Sequence, residues 1–246
     1  NGSGCFYNLD DDYIRSFFKK GEKNSYTYSY SYKSDVKGKK TGYDKNYRPR
    51  IEFVYNGKKY IATVNTFGKH SFYNGLSAIT VGLYFGISPK DICKTLNKMQ
   101  CISQKRMEIQ DYSGIKVIND TYNSNPNSVQ LGLETLSEYN SRGKKHVVIS
   151  DMLEMGSNAE REHFEIGILI SKMKFDFLYS YGKHSYNIFK GAKNLKNNFY
   201  FENKEDLTEF IKLNIRTGDV LYFKGSRGMK VEEVIQSVFK NQLKKS

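Results

Sequence analysis

From residue 106 onward, short apolar runs alternate with longer amphipathic ones, and this pattern constrains the fold more than any other feature. Strand-like runs fall at 106–110, 115–119, 146–150, 177–181, 198–201 and 220–223. Helical periodicity falls between them, at 127–138, 158–173, 185–191, 204–213 and 229–239. A strand followed by a helical crossover pairs in parallel with the next strand, so repeated units build a parallel sheet covered by helices. The expected class is α/β, with a doubly wound sheet. In such sheets ligands sit beyond the carboxyl ends of the strands, where loops lead into helices.

The first hundred residues read differently. Residues 4–8 suit a short strand, and Leu9-Asp10-Asp11-Asp12 opens a helix carrying Tyr13, Ile14, Phe17 and Phe18. Carboxylates in a first turn suit the helix dipole. Residues 25–32 alternate strictly, which would line Tyr26, Tyr28, Tyr30 and Tyr32 along one half-buried strand face. Residues 33–48 read as polar loop. Strands at 51–55 and 59–64 are joined through Asn56-Gly57, a hairpin signal. A helix over 71–85 stops at Gly86, and Ser88-Pro89 caps a second one running to about residue 99. A boundary near 100–105 divides the chain into 1–104 and 105–246.

The formal charge of +13 invites a nucleic-acid reading, but the lysines are spread along the whole chain and read as solvated surface. No nucleic-acid partner is expected. The three cysteines, Cys5, Cys93 and Cys101, show no CxxC spacing and read as reduced, buried thiols. The four histidines lie far apart in sequence, so no metal site is assigned. No apolar run approaches the roughly 18 residues that span a bilayer, and Asn1-Gly2-Ser3-Gly4 does not resemble a signal peptide. The cytoplasm is the expected compartment, and no membrane partner is expected.

Four loops concentrate polar chemistry. Asn119-Asp120-Thr121-Tyr122-Asn123-Ser124-Asn125-Pro126 offers a carboxylate and several amides before a helix. It reads equally well as a ribose-binding loop or a capped turn. Ser150-Asp151-Met152-Leu153-Glu154-Met155-Gly156 places two acids at a strand end, as ligand groups or as a structural cap. Lys224-Gly225-Ser226-Arg227-Gly228-Met229 joins glycines, which allow close backbone approach, to two cations suited to a carboxylate or phosphate. It is not a Walker loop, since GxxxxGK[ST] occurs nowhere in the chain. Gly68-Lys69-His70-Ser71-Phe72-Tyr73-Asn74 enters a helix, where the Asn74 amide suits a purine edge and His70 suits a cap.

Together, and in this order, these segments resemble the Mur ligase family. Asn8-Leu9-Asp10-Asp11 is similar to the NxDD of its central domains. Gly68 to Asn74 is similar to GxHNxxNxxAA, and Lys105-Arg106-Met107-Glu108 to the GRxE that opens its C-terminal domain. The boxes at 119–126, 150–156 and 224–227 resemble DDSYNANP, GDMLELG and KGSR of the branch that adds D-Ala-D-Ala. Ser71 and Asn119 stand where the family usually has Asn and Asp.

The resemblance implies that 1–104 is the remainder of a central ATPase domain without its phosphate-binding loop. It implies that 105–246 is the Rossmann-like C-terminal domain. It also implies ATP and Mg2+ as cofactors, UDP-MurNAc-tripeptide and D-Ala-D-Ala as substrates, an acyl phosphate, and a monomer. Carried onto this chain, Asn74 contacts adenine, with His70 beside it at a position open to a structural role. Arg106 lies along the nucleotide, and Asp120 holds the ribose hydroxyls. Asn123 and Asn125 border the reaction centre. Lys224, Ser226 and Arg227 face the dipeptide, and Asp151 and Glu154 help to bind substrate. The phosphate-binding loop, the UDP-binding domain, the magnesium-holding Glu and His and the modified lysine have no counterpart in this sequence. The chain alone is therefore expected neither to hydrolyse ATP nor to ligate. Two rival readings are another Mur-like amide ligase and a non-catalytic binding module of the same fold. A basic RNA-binding protein is a third.

Overall fold

The computed structural model describes residues 4–18, 24–45, 47–68, 70–99 and 105–240. It divides into two compact units, Asn1–Ile102 and Ser103–Ser246. Lys69 and Cys101 lie outside the described residues, and the expected burial of the thiols fails at the other two, since Cys5 is exposed at the start of its strand and Cys93 is only half-buried.

In the first unit, strands β1 (Cys5–Asn8), β2 (Ser25–Ser29), β3 (Val36–Tyr43), β4 (Pro49–Tyr55) and β5 (Lys58–Thr63) form one sheet in that order. The pairs β1–β2 and β2–β3 are parallel, whereas β3–β4 and β4–β5 are antiparallel. Helix α1 (Asp12–Phe17) is capped by Asp11, whose carboxylate accepts from the Ile14 N–H at 2.9 Å. Helix α2 (His70–Tyr84) packs Phe72, Leu76, Ile79 and Leu83 onto Val36, Ile51, Phe53 and Ala62. Helix α3 (Pro89–Lys98) is capped by Ser88, as its sequence indicates, and adds Ile92 and Leu96 to that core.

Two expectations fail here. The tyrosine-rich strand ends at Ser29, not at residue 32, because Asp10 captures the N–H groups of Tyr30 (2.6 Å) and Ser31 (3.0 Å) that a longer ladder would need. Tyr32 therefore leaves the sheet and stacks under the Arg15 guanidinium. The segment read as polar loop contains β3. Its Lys-Gly-Lys-Lys run lacks apolar alternation, but a Cβ on Gly38 would lie 2.7 Å from the Tyr30 ring and 2.9 Å from Leu76. Beyond Val36, its one buried apolar residue, it is a missing side chain at Gly38 that lets the strand lie under α2.

The second unit has six strands in the order β10-β9-β8-β11-β7-β6. They are β6 (Glu108–Tyr112), β7 (Ile115–Asp120), β8 (Lys145–Ser150), β9 (Phe177–Tyr181), β10 (Asn198–Phe201) and β11 (Val220–Lys224). All pairs are parallel except β6–β7. Helices α4 (Pro126–Glu138), α5 (Ala159–Lys172), α6 (Ser185–Gly191), α7 (Lys204–Asn214) and α8 (Glu232–Val238) alternate with them. This is the expected doubly wound α/β sheet. Its central strands are buried on both faces and read as the apolar runs Val147-Val148-Ile149 and Val220-Leu221-Tyr222-Phe223.

Two boundaries shift for a backbone reason. The strand expected from Arg106 begins at Glu108, because Lys105 and Met107 adopt φ of +63° and +50°. The last helix begins at Glu232 and not at Met229. A short 3-10 turn (Arg227–Met229) precedes it, and Lys230 at φ +50° separates the two. No helix among the described residues is long and apolar enough to cross a membrane.

Candidate active site

Strands β8, β11 and β7 are neighbours, so the loops leaving their carboxyl ends must meet. Ser226 joins all three. Its Oγ accepts from the Leu153 N–H at 2.9 Å and donates to the Ser124 carbonyl at 3.5 Å, while its N–H donates to the Asp151 carbonyl at 3.2 Å. Gly225 lets β11 run this close to β8, because a Cβ there would sit 2.1 Å from the Ser150 Oγ.

Below this junction lies a buried charge pair. The Lys224 ammonium reaches Asp120 Oδ2 at 2.7 Å, with side chains only 3% and 11% exposed. Tyr222 donates its hydroxyl to the same oxygen at 3.0 Å, and the Met107 N–H donates to Oδ1 at 3.2 Å. Burial, and then the neighbouring Asp120 charge, hold the Tyr222 hydroxyl well above its ordinary pKa, so it remains a donor. Gly132 on α4 makes room, since a Cβ there would overlap the Tyr222 hydroxyl. The sequence reading aimed Asp120 at ribose and Lys224 at the dipeptide. The fold turns them toward each other, because neither charge can be buried alone.

The other expected residues divide similarly. Asn125 caps α4: its Oδ1 accepts from the Ser128 N–H at 2.9 Å, and the Ser128 Oγ accepts from the Asn125 N–H at 3.1 Å. Its Oδ1 is therefore engaged by the helix start. Asn123 is exposed, with its Oδ1 accepting from the Ser124 N–H at 2.8 Å. Asp151 is buried and accepts from the Ser185 N–H at 2.7 Å, tying the second loop to the start of α6. Glu154 is exposed at φ +65° on the rim. Arg106 and Arg227 are also exposed, both over the ring of Tyr122.

In the first unit, Asn74 is exposed one turn into α2, on the same face as His70, which begins that helix. Ser71 is buried, donates to the Phe67 carbonyl at 3.1 Å and accepts from Thr66 Oγ1 at 2.7 Å, so it serves the helix start and not a ligand. Sequence reasoning missed Tyr122 and Tyr222. Tyr122 stood inside a quoted motif. Tyr222 was hidden in an apolar strand, where nothing distinguishes a tyrosine with a buried hydroxyl partner from one that only packs.

His163, on α5, braces the second loop. Its Nδ1 lies 2.6 Å from the Ala159 carbonyl and its Nε2 accepts from the Met152 N–H at 2.9 Å, which requires the neutral Nδ1–H tautomer. The fold brings its ring within 5.6 Å of His184, although the two lie far apart in sequence. Burial lowers the His163 pKa below 6.5 and outweighs the raising effects of Ala159 and Asp151. His146, buried between Tyr179 and Asp219 at the opposite end of the sheet, is lowered by burial as well. The unfolded chain binds more protons below about 6.5, so this stability is complete above that pH and is lost as pH falls toward the folded values. The expected result is a falling unfolding free energy between pH 7 and 5, with a shallower fall in His163→Gln. An equal fall in both proteins would show that His163 contributes nothing to the slope.

Among the described residues, no three His, Cys, Asp or Glu gather as metal ligands. Magnesium is usually held jointly by substrate phosphates and one or two carboxylates, and so requires no such cluster.

Residues 105–227, half of the chain, match the model of the "Mur ligase, glutamate ligase domain" family. The chain is 35% identical over 194 residues to the UDP-N-acetylmuramoyl-tripeptide–D-alanyl-D-alanine ligase of Bacillus subtilis, covering 78% of this chain and 42% of that protein. The ligase of the same name from Borreliella burgdorferi is 26% identical over 188 residues, covering 75% and 39%. The fold is similar to that of the MurF ligase of Thermotoga maritima solved with ADP, at TM-score 0.80 and 20% identity over 99% of this chain and 55% of that one. MurF of Acinetobacter baumannii superposes at TM-score 0.81 and 21% identity, over 96% and 51%. The chain thus spans about two fifths of these curated relatives and about half of the solved proteins. With the family match spanning half its length and the strand-end loops in the family's order, the chain belongs to the Mur ligase family.

Proposed function

We propose that this chain supplies part of a cytoplasmic ligase that joins D-Ala-D-Ala to UDP-MurNAc-tripeptide in peptidoglycan precursor synthesis, using ATP. The observation that carries the reading is the convergence of three strand-end loops on Ser226, with Arg106, Arg227 and Glu154 exposed around it. These are the loops whose wording selects the D-Ala-D-Ala branch. In this reading residues 1–104 complete a central ATP-binding domain and 105–246 form the C-terminal domain.

The chemistry requires two displacements. A tripeptide carboxylate oxygen attacks the γ-phosphorus of ATP, the bond to ADP breaks, and an acyl phosphate forms. The dipeptide amine then attacks the acyl carbon, the C–N bond forms, the C–O bond to phosphate breaks, and the amine gives up a proton. Both steps demand neutralisation of phosphate charge and alignment of the amine with the acyl carbon. Asn74, with its exposed amide, is suited to the adenine edge, and His70 beside it anchors the start of α2. Arg106 runs along the phosphates, and Arg227 serves as a catalytic cation. Glu154 attracts the ammonium of the dipeptide before it loses a proton, and Asn123 borders the acyl group. Asp120 acts indirectly, as the counter-charge that fixes Lys224 beneath Ser226. Magnesium, when bound with the nucleotide, supplies further phosphate neutralisation.

The test is a ligation assay on a complete protein containing this chain, with ATP, magnesium, UDP-MurNAc-tripeptide and D-Ala-D-Ala, read by mass spectrometry. The expected product is the pentapeptide, with Arg227→Gln reducing kcat about a hundredfold or more. The 246-residue chain alone, without a phosphate-binding loop in its sequence, is expected to form none. A complete protein that makes no pentapeptide, or prefers a single amino acid over the dipeptide, overturns the reading.

A further inference from the structure

Tyr122 is an exposed aromatic that none of the roles above requires, yet two cations converge on it. The Arg106 guanidinium carbon lies 4.1 Å from its ring centroid and that of Arg227 lies 5.7 Å away. The two arginines come from segments more than a hundred residues apart, and each backbone is anchored beside the ring. The Tyr122 N–H donates to the Lys105 carbonyl at 3.0 Å, and Lys105 is tied to Glu232 at 3.0 Å. Left-handed Lys105 and Met107 flank Arg106 and hold it outward. Arg227 opens the 3-10 turn directly after Ser226, the residue that joins the loops. Among the described residues neither guanidinium has an acidic partner.

Two like charges at one ring repel each other. The quadrupole of the ring attracts each guanidinium and fixes its plane, but it cannot cancel their charge. An anion between them does both. A carboxylate carries one charge and fills one guanidinium fork, whereas a phosphoryl group carries about two and offers oxygens to both. We infer that Tyr122 is a positioning residue that presents Arg106 and Arg227 as one clasp for a phosphoryl dianion. Identifying that group with the phosphate passed from nucleotide to acyl carbon rests on the ligase reading above, but the clasp itself does not.

The experiment is calorimetric titration of the 246-residue chain with inorganic pyrophosphate at low salt, repeated with ADP and with N-acetyl-D-Ala-D-Ala. The expected result is one pyrophosphate site that weakens about tenfold in Arg106→Gln, in Arg227→Gln and in Tyr122→Leu, as the loss of one charge-assisted contact implies. Tyr122→Phe, which keeps the ring, is expected to bind like the wild type. Melting temperatures of the Tyr122 variants are expected to match that of the wild type, separating positioning from folding. Wild-type binding in Tyr122→Leu, indifference to Arg227→Gln, two independent sites, or no pyrophosphate binding at all would each overturn the clasp. Tighter binding of the acetylated dipeptide than of pyrophosphate, with the same variant pattern, would make it a carboxylate site and equally overturn it. Pentapeptide from the complete protein without the pyrophosphate pattern would remove the clasp and leave the ligase reading intact. The pyrophosphate pattern without pentapeptide from the complete protein would do the reverse.

Discussion

Lys224→Met is expected to destabilise the second unit by about 3–5 kcal/mol, because it leaves the Asp120 carboxylate buried without its cation. Tyr222 and the Met107 N–H still donate to that carboxylate, but neutral donors do not replace a charge at 2.7 Å. Asp120→Asn is expected to cost a similar amount by stranding the ammonium. The double variant should recover much of the loss, since the two groups share one interaction and their effects do not add. Urea unfolding of the three variants checks this, with an unchanged m-value indicating that stability alone has moved. Single-variant losses below about 1 kcal/mol would mean that the pair behaves as an exposed one, and the description of its burial would be wrong. The effect should also resist salt, because screening acts mainly on exposed charges.

Gly167→Ala is expected to cost about 3 kcal/mol, for a different reason. Helices α5 and α6 cross backbone to backbone. A Cβ on Gly167 would lie 2.2 Å from the Ile188 carbonyl oxygen, and one on Gly191 would lie 2.3 Å from that of Phe164. No side chain can rotate away, so a helix must move, which places the substitution at the costly end of overpacking. The first residue of α6 donates its N–H to Asp151, so the shift should also loosen the second strand-end loop. Hydrogen exchange at the Ser185 amide reads that loosening directly. Unchanged protection there, with wild-type stability, would show that the two helices separate without cost.

The second unit was legible in sequence because its signals are local and redundant. Each central strand is an apolar run and each helix has its period. Where expectation failed in the first unit, a distant group had overruled a local pattern. Asp10 ended β2 by taking two amides, and Tyr30 and Leu76 selected glycine for β3. The candidate site shows the same division. Its loops were found from their wording, but the pairing of Lys224 with Asp120, the junction at Ser226 and the clasp on Tyr122 join residues about a hundred positions apart.

The sequence by itself determined the strand–helix order of the second unit, its doubly wound class and the family. Periodicity and motif wording are properties of neighbouring residues and survive without contacts. Only the tertiary structure decided what each polar residue does. The order β8-β11-β7 brings the last strand between two earlier ones, and so sets which charges meet. A charge buried by that arrangement must find its partner inside the fold, whereas one left on the rim, as Arg106 and Arg227 are, keeps its fork free for a ligand.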